Sequence, residues 1–312
     1  MLLKPGKIAF AVQLLVLAVV IPVVGCKSND PSTGTFATPD EAANALAAAA
    51  KSGDQNTLLQ IFGPDSKEII SSADPVQDRN VAAAFVSGYG VMHRWRTMPD
   101  GSQILLVGYT NFPFPIPLKK NANGRWFFDT AAGKEEILNR RIGRNELAII
   151  SVCRAMVKAQ GEYFSQLHDG SKTKQYAPKF ISDPGKQNGL YWQPEEGQPQ
   201  SPLGPLAAFA TSEGYSVKPD AHMPFHGYYF HMLKGETSNT PGRPRQYVVD
   251  GKIVGGFAFV AYPAEYGNSG VMTFVINQDG VLLQKDLGKS TAEIATAMNG
   301  FDPDKSWTVV LD

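Results

Sequence analysis

The sequence predicts an α+β protein. Three observations carry this. Capped helical patterns occupy residues 36–95 and 134–167. Each of the two helical stretches is followed by strand patterns, at 103–129 and 227–288. Those strands follow one another across turns instead of alternating singly with helices, which favours antiparallel sheets with helices packed beside them.

The N-terminus comes first. Lys4 and Lys7 precede residues 8–24, which are apolar except for Gln13. A charged start followed by a short apolar run is the layout of a secretory signal. A retained membrane helix is the other reading, but the run is short of the roughly 20 residues needed, and Pro22 disturbs its last turn. Val23-Val24-Gly25-Cys26 resembles a bacterial lipobox. The resemblance implies cleavage before Cys26, acylation of its thiol and new amine, and a stable lipid anchor, each buried methylene adding about 0.8 kcal/mol. Lys27 after the cysteine points weakly to the outer membrane over the inner one. The expected localisation is the bacterial envelope, facing the periplasm. Residues 1–25 are then the signal and 26–35 a Ser, Asn, Asp and Gly-rich tether.

Composition narrows the function classes. The 29 basic residues balance the 29 acidic ones. Loss of Lys4 and Lys7 with the signal leaves the mature chain slightly acidic, with no basic field for nucleic acid. Two cysteines are present, and with Cys26 lipidated only Cys153 remains, so no disulfide forms within the chain.

The N-terminal α+β domain is expected over 36–133. Thr38, Pro39 and Glu41 form a capping-box start, and Gly53 a helix end. A second helix spans 55–62 and stops at Gly63-Pro64; a third covers about 75–95, weakened by Gly88 and Gly90. "QILLVGYT" (103–110) reads as a buried strand. In "NFPFPIPLKK" (111–120), Phe112, Phe114, Ile116 and Leu118 alternate with Pro113, Pro115 and Pro117. This predicts an edge strand whose prolines all strip donors from its outer side; a polyproline docking segment is the alternative. "NANG" turns the chain into "RWFFD" (125–129). This element order resembles a cystatin-like or nuclear-transport-factor-two-like cone.

The second domain is expected over 134–312. Ile149, Cys153, Met156, Tyr163 and Leu167 recur at near-helical spacing. On that face Cys153 is a small core residue, since a reactive thiol wants an exposed electropositive setting. Arg140, Arg141 and Arg144 cluster near the helix start, as a solvated junction or as an anion or partner patch. Residues 170–226, rich in Pro, Gly, Gln and Ser, form a long irregular excursion with a short helix near 205–211. Then "GYYFHML" (227–233), "QYVVDGKIVGGFAFVAY" (246–262) and "GVMTFVINQDGVLLQKDLG" (270–288) predict an antiparallel meander, with two-residue turns at Asp250-Gly251 and Asp279-Gly280. Long helix, loop and "FAFVAYPAEYGNSGVMTFVINQDGV" resemble the globular half of a type IV pilin. Here a whole domain precedes the helix, in place of the apolar segment through which pilins assemble.

Over nearly the whole mature chain, "FPFPIPL", "RWFFDTAAGKEEILNRRIGRNELA", "GLYW", "GGFAFVAYPAEYGNSGVMTFVINQDG" and "KDLG" resemble the bacterial domain-of-unknown-function 2950 family. The resemblance implies an exported envelope protein of two coupled α+β parts and supplies no reaction.

Candidate chemistry is sparse. HExxH, paired CxxC, GxSxG and a phosphate loop are all absent from the sequence. "YGNSG" lies between two predicted strands, so Ser269 reads as a turn residue. "DAHMPFHGYYFH" gathers Asp220, His222, His226 and His231, a donor set suited to zinc or copper, or else scattered surface and satisfied histidines. His93 beside Trp95 reads as structural. Trp95, Trp126, Tyr191 and Trp192 serve either as core or as the lining of a small-molecule pocket. No cofactor is expected. The function expected is a non-catalytic binding or scaffold module, with 170–226 facing an envelope protein partner. The alternative is a periplasmic small-molecule- or metal-binding protein, possibly a hydrolase.

Overall fold

Thr38 opens the first helix as its pattern predicts. In the computed structural model, which describes residues 34–194, 197, 199–218, 223–239 and 244–311, its hydroxyl accepts from the Glu41 amide at 3.1 Å. Glu41 returns a carboxylate oxygen to the Ala37 amide at 2.7 Å. Helix α1 (Pro39–Ser52) ends at left-handed Gly53. Asp54 then caps α2 (Gln55–Phe62), and a 3-10 turn at Pro64–Ser66 leads into α3 (Lys67–Ile70). Helix α4 (Pro75–Val91) is capped by Asp74.

The chain departs here from the sequence expectation. α4 stops at Val91, and His93–Thr97 form strand β1. Gly88 has no side chain because Val107 packs where one would lie; a Cβ there would sit 3.0 Å from the valine Cγ1. Gly88 and Gly90 weaken the helix's last turn, and the register of β1 with β2 (Gln103–Val107) takes over at His93, opposite Val107.

The proline segment also departs from expectation. It is not one edge strand but two pieces, β3 (Phe112–Pro113) and β4 (Leu118–Lys120), separated by residues 114–117. Both lie on the same side of β2, with Leu106 opposite Pro113 and Gln103 opposite Leu118. β4 is interior, because β5 (Trp126–Phe128) pairs beyond it. Phe114 keeps its N–H on the β2 side and donates to the Leu105 carbonyl at 2.8 Å. The prolines cannot donate, so ladder pairing fails where a second neighbour would need them. The break is filled by the next helix. At Gly133 an added Cβ would lie 2.8 Å from the Ile116 Cα, a contact only glycine permits.

That helix, α5 (Thr130–Phe164), has 35 residues and is about 50 Å long. Its first part meets α3 and the core of Phe36, Leu46, Ile116, Leu118 and Phe128. Its second part lies on the large sheet. Among the described residues no helix is long and apolar enough to cross a membrane. A short helix α6 (Gly204–Ser212) follows within the expected irregular excursion.

The second sheet has five antiparallel strands in the order β12-β11-β10-β9-β6, made of β6 (Tyr228–Leu233), β9 (Ala258–Pro263), β10 (Met272–Asn277), β11 (Leu283–Asp286) and β12 (Thr308–Val309). A separate hairpin of β7 (Val248–Val249) and β8 (Lys252–Ile253) stands outside it. Its turn is the predicted one, with Asp250 at φ 51° and Gly251 at φ 76°. The Asp279-Gly280 turn is longer than predicted. β10 ends at Asn277 and β11 starts at Leu283, and the intervening Leu282 is pulled into the core.

Strand alternation explains the layers. Phe259, Ala261, Phe274 and Ile276 face α5 and meet Ile149, Cys153 and Met156. Ala258, Val260 and Val275 face the other way, toward Phe301 and Ala295 of α7 (Thr291–Ala297). Each fully buried Phe or Ile contributes about 1.5–3 kcal/mol. The chain is therefore α+β, as the sequence predicts.

Candidate functional site

A cleft of about 570 Å³ opens between α1, α2, α4, the first sheet and the N-terminal part of α5. Its walls are mostly apolar, with Leu46, Leu58, Phe62, Phe85, Phe114 and Ile137 among them. Phe114 is the hub: its ring lies 5.4 Å from Phe85, 6.4 Å from Phe62 and 6.0 Å from Phe128. It comes from the break in the proline segment, so the interruption that ends β3 also sets a wall of the cleft. The size and lining match those of small-molecule sites.

The polar wall comes from α4 and α5. Arg140, Arg141 and Arg144 all line the cleft, and their roles separate. Arg141 is buried and structural. It donates to the carbonyls of Glu68 at 2.7 Å and Ile69 at 2.8 Å, and to Asn268 Oδ1. Burial pulls its guanidinium below the ordinary arginine value and Arg144 adds to that, while Asp78 and Glu265 oppose it. It stays cationic, as arginine does in proteins. Arg140 is half committed: it pairs with Glu136 at 2.6 Å, donates to the Pro113 carbonyl at 3.1 Å and lies over the Phe112 ring at 4.9 Å. Arg144 is exposed and, among the described residues, has no hydrogen-bond or ion-pair partner.

Gln77 is a wall residue that sequence reasoning missed. Three residues past the Asp74 cap, it reads as an ordinary first-turn helix residue. Its Nε2 donates to Asn145 Oδ1 at 2.8 Å, and Asn145 Nδ2 donates to the Ser269 carbonyl at 2.8 Å. That chain fixes the amide orientation, because a carbonyl can only accept. Gln77 is 7% exposed, and its Oε1 is buried with no hydrogen-bond partner. An orphaned buried acceptor is uncommon.

Behind this wall a polar network ties distant parts of the chain together. Asp74 caps α4 and also accepts from the Tyr215 hydroxyl at 2.8 Å and the Gly227 amide at 2.9 Å. Gly227 needs its positive φ of 74°, and a Cβ there would lie 2.7 Å from Asn145 Nδ2.

His226 and His231, the two described histidines of the set, have separate partners. His226 Nε2 lies 3.1 Å from Glu213 Oε2, and its ring stacks on Phe209. His231 Nε2 is 2.9 Å from the Met298 carbonyl on the far side of the large sheet. Asp220 and His222 lie outside the described residues, as does Cys26. Among the described residues no group of three or more His, Cys, Asp or Glu could hold a metal. His93 stacks on Tyr89 at 3.9 Å, a packing role.

Ser269 is fully buried, and its Oγ is tied to the Glu265 backbone, accepting from the amide at 2.9 Å and donating to the carbonyl at 3.2 Å. Among the described residues no His, Asp, Glu or Lys side chain is hydrogen-bonded to it. Cys153 is 1% exposed, and burial pushes its thiol up to about 12. Its thiolate is therefore scarce at neutral pH. Alkylation by iodoacetamide at pH 8 should be negligible in the native protein and rapid in denaturant; fast native labelling would show the helix face opening.

The four large aromatics singled out in the sequence serve the cores. Trp126 pairs with Phe36, Trp95 donates to Asp40 at 2.7 Å, and Tyr191 and Trp192 pack in the second core. None of them lines the cleft, whose rings are phenylalanines.

Comparison with curated proteins and with solved structures finds no match for this chain. A family profile, however, matches residues 33–310, almost the whole of what the structure describes. The chain belongs to the family described as protein of unknown function DUF2950.

Proposed function

We propose that this protein is an exported envelope lipoprotein, anchored through Cys26 and facing the periplasm, that acts by binding a small apolar ligand and not by catalysis. The cleft of about 570 Å³ with phenylalanine walls carries the reading. The signal-like N-terminus, the lipobox and Lys27 support export and an outer-membrane anchor. Gly34 packs on Ile61 and Thr35 accepts from Arg125, so the tether read over 26–35 shortens to the residues before them, whose Ser-, Asn- and Asp-rich sequence supports reach from the lipid surface. The buried Cys153 thiol and the locked Ser269 hydroxyl argue against a nucleophilic hydrolase.

The 170–226 segment, expected to meet a protein partner, supplies Ala177, Leu190, Trp192 and Leu203 to the core. Much of it is therefore supporting structure, which moves the binding role to the cleft. A long helix against an antiparallel sheet supports the pilin-like reading of the second half as architecture.

The test uses the purified full chain in a fluorinated surfactant, titrated with the neutral dye N-phenyl-1-naphthylamine. We expect saturable fluorescence enhancement at about one dye per chain, lost in Ala82→Trp, which fills the cleft from α4. Unchanged binding in that folded variant would overturn the assignment.

A further inference from the structure

The geometry points to a single-chain amphiphile with an anionic head as the ligand, its acyl chain between Phe62, Phe85 and Phe114 and its head at Arg144. This rests on the cleft being the binding site, and it adds the chemical class of ligand.

The charged lining of the cleft comes from two helices, Asp78 from α4 and Arg140, Arg141 and Arg144 from α5. Leu46, Leu58 and Phe62 come from α1 and α2, while Gln77, Arg140 and Arg144 come from α4 and α5. A purely apolar ligand would leave the second group unanswered. The charges there do not cancel. Arg140 has Glu136, and Arg141 is spent on backbone carbonyls with Asp78 and Glu265 nearby. Arg144 remains, and its guanidinium presents five donors in a fork suited to carboxylate or phosphate. Arg140 still has Nη2 free among the described contacts, so a second donor group stands one helical turn away.

Gln77 is an independent observation. Gln77 lines the cleft, its Oε1 is buried and lacks a donor, and its Nε2 is held by Asn145, the residue after Arg144. The acceptor has no accessible surface in the cleft as it stands, so it is reached when the Gln77 side chain turns as the head enters, and a hydroxyl or amide N–H next to the anionic group then satisfies it. Such a donor is present in 2-hydroxy fatty acids and in lysophospholipids with a free glycerol hydroxyl.

The experiment displaces N-phenyl-1-naphthylamine from the full chain with hexadecanoate, hexadecanol, 2-hydroxyhexadecanoate and lysophosphatidic acid. Hexadecanoate should displace at least about tenfold more effectively than hexadecanol, the effect of one charge-assisted contact pair. 2-Hydroxyhexadecanoate should exceed hexadecanoate severalfold, and that gain should vanish in Gln77→Leu. Arg144→Gln should bring acid and alcohol within about twofold. Preference for lysophosphatidic acid would name a phosphate head, and preference for the free acids a carboxylate. Equal displacement by acid and alcohol, with dye still bound, overturns the anionic head and leaves the cleft assignment standing. Failure of the dye itself to bind overturns both.

Discussion

Replacing Arg141 by Met should lower the free energy of unfolding by about 3–5 kcal/mol. Met fills much of the arginine stem's volume, so the loss comes from the carbonyls of Glu68 and Ile69 and from Asn268 Oδ1, which all lose a charged donor in a buried place. Each acceptor left without a partner costs about 1–3 kcal/mol. The Ser71 carbonyl retains Asn268 Nδ2 at 3.0 Å and softens the effect. Arg141→Lys should recover only part of the loss, because a point-like ammonium cannot span donors fixed in a planar fork. Arg144→Met, three residues along the same helix but exposed and without a partner among the described residues, should change stability by no more than about 0.5 kcal/mol. Urea unfolding of the three variants measures all of this. Equal stabilities for the Arg141 and Arg144 variants would mean that the buried arginine is not the clasp between α3, α5 and the β9–β10 turn.

That contrast shows what the sequence could and could not say about the site. "RRIGR" announces three cations within five residues, and spacing alone cannot say which of them has acceptors waiting. Those acceptors lie in α3 and at residue 268, more than 60 and 120 residues away in the chain. The cleft was hidden for the same reason. Phe62 comes from α2, Phe85 from α4 and Phe114 from the break between β3 and β4, and only the fold brings their rings together. The tryptophans, the more conspicuous aromatics in the sequence, went to the cores. Local signals fared better. The Thr38 and Glu41 capping box, the Gly53 stop and the Asp250-Gly251 turn depend on a few neighbouring residues, and each formed as read. "HRWRT" could continue a helix or start a strand, and the tertiary pairing of His93 with Val107 decided it. The alternation of the proline run predicts the side that faces β2 but also a single edge strand, because nothing local shows that α5 needs room beside Ile116.

Stability should be level from neutral pH to about 9 and then fall steeply toward 12. Burial pushes the Tyr163 hydroxyl up from its ordinary value near 10 to about 12, with Asp169 adding to the effect. The Cys153 thiol rises from 9 to about 12 through the same cause. Burial also raises the hydroxyls of Tyr215, Tyr228 and Tyr247. The sign follows from which state keeps its protons. Below the unfolded values both states are protonated, and the favourable burial of each neutral group is fully present. Above them the unfolded chain releases protons that the native chain holds, so each further pH unit costs about 1.4 kcal/mol per group until the native value is reached. Over the span from 9 or 10 to 12, Cys153 and Tyr163 together remove on the order of 7 kcal/mol, comparable to the whole stability of many domains. The three further tyrosines act in the same direction. Unfolding followed by circular dichroism against pH should therefore coincide with a cooperative rise in phenolate absorbance. Tyr163→Phe gives up the 2.7 Å bond to the Gln187 carbonyl and should be about 1 kcal/mol less stable at pH 7, yet lose less than the parent between 10 and 12. A parent curve that stays flat through pH 11, or phenolates that titrate near 10 while the fold persists, would show that these rings reach water in the native state.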